Sequence, residues 1–76
     1  MANKFVVGGV YEPYQREFDP ITVTRRTAKT VWVDKDGVRW FMRIKTDASG
    51  NEYATDSTAP KAWREAFTYS AADRLE

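Results

Sequence analysis

The sequence predicts a mostly β fold of the α+β class: a small curved antiparallel sheet or partly open barrel, SH3-like in scale, with about five strands and a C-terminal helix. Three observations carry this. Val38, Trp40, Met42 and Ile44 alternate strictly with Arg39, Phe41, Arg43 and Lys45, the period-two pattern of a half-buried strand. β-branched and aromatic runs recur upstream, separated by short turn signals. After Ser57 the character changes to a pattern with helical spacing. The alternative architecture is a flat meander with the helix packed across one face.

Lys4–Tyr11 is expected as the first strand, with Gly8–Gly9 marking a bulge or sharp bend because neither residue has a side chain to pack. Glu12–Pro20 reads as a loop bounded by Pro13 and Pro20, with Tyr14 and Phe18 as its apolar anchors. Ile21–Arg25 is the second strand, Ile21 and Val23 inward, Thr22 and Thr24 outward. Arg26–Lys29 turns the chain or continues it as a bent strand. Thr30–Asp34 is the third strand, with Val31 and Val33 inward and Trp32 outward. Asp36-Gly37 is a tight-turn signal, since glycine accepts positive φ without steric cost, and Gly37–Thr46 is the fourth strand. Asp47–Asn51 is a loop, and Glu52–Thr55 a short fifth strand packed through Tyr53. Ser57 or Thr58 then caps a helix with Pro60 in its first turn. That helix turns Trp63, Ala66, Phe67 and Ser70 to the core, although Phe67-Thr68-Tyr69 favours strand locally and would end it early.

Residues 1–74 form one domain on this reading, and Leu75–Glu76 resembles a vector remnant. A chain of 76 residues buries only about 60% of the surface its unfolded form exposes, so the core must be compact. Without cysteine there is no disulfide framework and no thiolate site, which fits a reducing cytoplasm. No apolar run approaches the roughly 18–20 residues that span a bilayer, so no membrane partner is expected.

The formal net charge of +1 hides a strong asymmetry. Residues 21–46 carry seven basic side chains against two acidic ones, whereas the segments on either side are net acidic. A basic middle of this kind marks an anionic partner or an internal electrostatic match.

Catalytic chemistry finds little to stand on. Histidine is absent, which removes the usual general base, the Ser-His-Asp triad and the commonest zinc ligand. Asp34-x-Asp36-Gly37 lacks the further oxygen ligands and terminal glutamate of a calcium loop. Gly8–Gly9 lacks a phosphate-cradling frame. The expectation is a non-enzymatic binding module with no cofactor, no metal and no small-molecule substrate.

The outer sheet face is the candidate site. The strand phases put Thr22, Thr24 and Trp32 beside Arg39, Phe41, Arg43 and Lys45, with Arg26 near the adjacent turn. Exposed aromatic rings stack on bases and interleaved cations neutralise phosphates, the two devices of single-strand binders. The expected ligand is therefore nucleic acid, bound by Arg26, Trp32, Arg39, Phe41, Arg43 and Lys45. Trp32 and Phe41 could instead form a second small core under the 12–20 loop or the helix, with arginine stems laid over them. A protein partner, or a homodimer through a strand edge or the Trp32–Phe41 face, is the alternative.

The run ITVTRRTAKTVWV followed by GVRWFMRIK, GNEYA and S-x-A-P resembles small uncharacterised proteins of Gram-positive bacteria and their mobile elements. The likeness covers Ile21 to Ala66 and is most specific over Thr24–Thr30; Lys61–Ala72 departs from it. It implies a bacterial intracellular setting. Those proteins have no established activity, so no catalytic residue is carried over.

Overall fold

The computed structural model describes residues 2–75. Seven strands form one antiparallel sheet: β1 (Val10–Pro13), β2 (Ile21–Arg26), β3 (Thr30–Lys35), β4 (Val38–Arg43), β5 (Lys45–Thr46), β6 (Glu52–Thr55) and β7 (Thr68–Arg74). Their order across the sheet is β4-β3-β2-β1-β7-β6-β5. The two ends of that order are consecutive in the chain. Only Ile44 separates β4 from β5, and the expected continuous fourth strand breaks there. Its first part pairs with β3 and its second with β6, so one bent segment brings the sheet round into a nearly closed barrel.

The hairpin joining β3 and β4 forms as the sequence suggests. Lys35 pairs with Val38, and Asp36 (φ 51) and Gly37 (φ 83) both sit in the left-handed region, as a two-residue primed turn requires. The Asp34 carboxylate accepts the Gly37 N–H at 3.0 Å and faces the Arg39 Nε at 3.3 Å.

Ile21, Val23, Val31, Val33 and Met42 line the core with Tyr11, Ala54, Tyr69, Ala71 and Phe5. The inward phases of β2 and β3 are thus as expected. Along β4 and the Ile44 that follows it, the inner face grades with position: Met42 is buried, Trp40 and Ile44 are half-buried, and Val38 is 63% exposed. Val38 sits next to the hairpin turn, opposite Lys35, and borders an open cleft with Trp40, Asp56 and Thr58 that leaves most of it in solvent.

Two expected elements are replaced. The segment 4–9 is not a strand, and the first strand begins at Val10. It runs across the core as an irregular strap. Gly8 N–H donates to the Val23 carbonyl at 2.8 Å, Val23 N–H to the Gly9 carbonyl at 3.0 Å, and Glu52 N–H to the Asn3 carbonyl at 2.9 Å. Phe5, 1% exposed, plugs the core edge-on to Tyr11 at 4.8 Å, and the Tyr11 hydroxyl accepts the Val6 N–H at 2.9 Å. Gly9 fits because a Cβ there would stand 2.8 Å from that hydroxyl oxygen.

The C-terminal helix is also absent. Lys61–Trp63 makes one 3-10 turn with no buried residue, and Trp63 is 53% exposed. From Thr68 the chain is β7, which pairs with β1 on one side and β6 on the other. A period of two sends Tyr69 and Ala71 into the core. A helix could present only a stripe to the barrel, whereas this strand satisfies its backbone on both edges and closes the sheet. Phe67, assigned to the helical stripe, instead stacks on Phe18 of the 12–20 loop at 4.6 Å. Phe18 is therefore the loop's anchor, while Tyr14 is 67% exposed.

Candidate nucleic-acid interface

The outer faces of β3 and β4 lie in register. Trp32 pairs with Phe41, Thr30 with Arg43 and Asp34 with Arg39. Paired residues share a face, so one row of the sheet alternates aromatic and basic groups. Phe41 is 62% exposed, and Arg39, Arg43 and Lys45 are exposed around it. Trp32 is half-buried, with the Arg25 guanidinium 4.6 Å above its ring. The suggested second core does not form over Phe41, because the loop that would cover it is anchored on Phe67 instead.

Arg26 does not belong to this face. The β2–β3 register shifts between Val23 and Arg25: Val23 faces Val33, and Arg25 faces Trp32, leaving Thr24 as an extra residue. Such a bulge reverses the phase of everything after it. Arg25 thereby turns outward onto Trp32, while Arg26 pairs with the buried Val31 and turns inward. Its guanidinium grips Glu52, with Nη1 to Oε1 at 2.6 Å and Nη2 to Oε2 at 2.9 Å. The hydrogen bonds from Arg26, with help from the Phe5 N–H, hold the Glu52 carboxyl below its ordinary pKa against the opposing effect of burial. Arg26 is a structural residue. The aromatic-capping arginine is Arg25, which unbroken alternation assigns to the inner face.

Two grooves meet at Phe41. One, of about 400 Å³, is lined by Thr24, Arg25, Trp32, Arg39 and Phe41. The other, of about 390 Å³, lies between β4 and β6 and is lined by Phe41, Arg43, Lys45, Thr55, Ser57 and Arg64. Asp34 is the acidic side chain on this face, and it is engaged with Arg39. Arg64 is a second residue that sequence reasoning missed. A helix that turns Trp63 and Phe67 to the core would face Arg64 away from it; only the course of the 57–67 segment brings Arg64 to the sheet.

Among the described residues no cluster of three potential metal-ligating side chains occurs, and no helix is long and apolar enough to cross a membrane. Fold and face together define a class: a small antiparallel β-barrel with a basic, aromatic outer surface. Comparison with protein-family models, curated proteins and solved structures finds no match to the chain.

Proposed function

We propose that this protein is a non-enzymatic binding module that holds single-stranded nucleic acid on the outer face of β3 and β4. One observation carries the reading: Phe41, an exposed aromatic ring, lies directly opposite Trp32 and is surrounded by Arg25, Arg39, Arg43 and Lys45. An exposed ring on a sheet offers a stacking platform that accepts any base. Cations spaced along the neighbouring strand positions neutralise the backbone. A bacterial cytoplasmic setting is the one in which we place it.

The test is a titration of a short oligothymidylate followed by intrinsic tryptophan fluorescence at several salt concentrations. A footprint of three to five phosphates gives a slope of log affinity against log salt of about −2 to −3.5, at roughly −0.7 per phosphate. No binding at moderate salt would end the reading.

A second reading, association with a protein strand or a second copy, is favoured by the free edge of β4. The bond from Ile44 N–H to the Lys29 carbonyl sets the alternation along the hairpin, so the backbone groups of Arg39, Phe41 and Arg43 point away from β3. Concentration-dependent sedimentation without nucleic-acid binding would favour this alternative.

A further inference from the structure

We infer that the groove between β4 and β6 is the phosphate-binding end of this site, and that Arg64, on the segment before β7, is one of its ligand-binding residues. The inference rests on the nucleic-acid reading and divides the face into two chemically different halves. The groove at Trp32 is walled by rings and capped by Arg25. The groove beyond Phe41 gathers Arg43, Lys45 and Arg64 with the hydroxyl residues Thr55 and Ser57. None of these three cations makes an ion pair among the described residues. Three like charges lining one cleft repel each other until an anion enters between them.

Two further features favour a phosphate there. Arg64 is steered by long bonds, Nε to the Ala59 carbonyl at 3.4 Å and Nη2 to the Ser57 carbonyl at 3.5 Å. These orient the guanidinium and leave its charge unneutralised. The edge N–H groups of Phe41 and Arg43 open on the same side, and backbone N–H groups are common phosphate donors. Phe41 borders both grooves, so a base stacked on its ring would leave the adjoining phosphate beside Arg43 and Arg64.

The test compares a six-nucleotide oligothymidylate with an abasic strand of the same length, against the wild type and four variants. Arg64→Gln should weaken both strands by the same factor, roughly two- to fivefold as for an exposed ion pair, and make both salt slopes shallower by about 0.7. Trp32→Ala and Phe41→Ala should weaken the thymidylate alone and leave the abasic strand unchanged. Ser57→Glu places a carboxylate in the same cleft and should reproduce the Arg64→Gln result if that variant melts early. The assignment is overturned if the wild type binds thymidylate and neither Arg64→Gln nor Ser57→Glu alters affinity or slope. It is overturned equally if an oligoglutamate peptide of matching charge binds as tightly as the abasic strand and shows the same dependence on Arg64. A wild type that binds no strand removes the nucleic-acid reading itself, a result distinct from either.

Discussion

Arg26 and Glu52 close on each other through hydrogen bonds of 2.6 and 2.9 Å and together hold both backbone groups of Phe5. The Phe5 N–H donates to Glu52 Oε1 at 2.8 Å, and the Phe5 carbonyl accepts from Arg26 Nη1 at 2.7 Å. The pair joins β2, β6 and the N-terminal strap at one point. Glu52 is 8% exposed, so its charge is sheltered and fully coordinated.

Glu52→Gln should therefore destabilise the protein by about 3 kcal/mol, the lower end of the cost of breaking a buried ion pair, because Arg26 keeps some solvent contact. The folded pKa of Glu52 is depressed, chiefly by the Arg26 hydrogen bonds. Its contribution is present above the unfolded carboxyl value near 4.5 and is lost as pH falls through the folded value. Denaturant melts across the acid range should show a loss of stability in the wild type that is smaller in Glu52→Gln. Equal slopes in the two proteins would contradict the assignment.

Phe5→Ala should cost about 3–5 kcal/mol, as for other buried aromatic truncations. For a domain of this size, with a stability of roughly 4–11 kcal/mol, the variant should be barely folded. Thermal melting followed by circular dichroism measures it. An unchanged midpoint would mean that the strap contributes nothing to the core.

Tyr69 is wholly buried, and its hydroxyl has no hydrogen-bond partner among the described residues. Burial, aided by Asp56 and Asp19, pushes its pKa up to about 12. A raised tyrosine pKa means that the folded state holds the proton more tightly. That stability is complete below the unfolded value near 10 and disappears as pH rises towards about 12. Tyr69→Phe should leave neutral-pH stability unchanged or slightly raised, since it removes an unpaired polar group. It should also flatten the alkaline loss by up to about 2–3 kcal/mol. Parallel alkaline melts of the two proteins decide this.

Trp32→Ala should keep the fold and lose roughly 1–3 kcal/mol of oligonucleotide affinity, the usual worth of a stacked base. Arg43→Ala should weaken binding to every sequence and make the salt slope shallower, because phosphate contacts carry no sequence information. Melting curves recorded beside each titration separate loss of binding from loss of fold. A Trp32→Ala protein that unfolds would make that ring part of the core.

Trp40 faces the core as its alternation with Met42 implies. It is only half-buried, however: β4 ends the hydrogen-bonded order of the sheet, and across its other edge it meets β6 without pairing. Strand period can say which side a residue faces. It cannot say how much lies on that side.

Local chemistry was sufficient wherever a decision involved neighbours in sequence. Alternation set the faces of β3 and β4, Asp36-Gly37 set their turn, and together these placed Trp32, Arg39, Phe41 and Arg43 on one surface. Tertiary structure decided the rest. The Thr24 bulge exchanged Arg25 for Arg26, since one extra residue reverses a period of two. The last segment became β7 because a vacancy between β1 and β6 offered hydrogen bonds along both edges, a gain that no helical stripe in the sequence could reveal. Arg64 joined the outer groove only through the path of the chain leading into that strand. The partnership of Arg26, Glu52 and Phe5 joins residues 26 and 47 positions apart, and no local pattern encodes such a meeting.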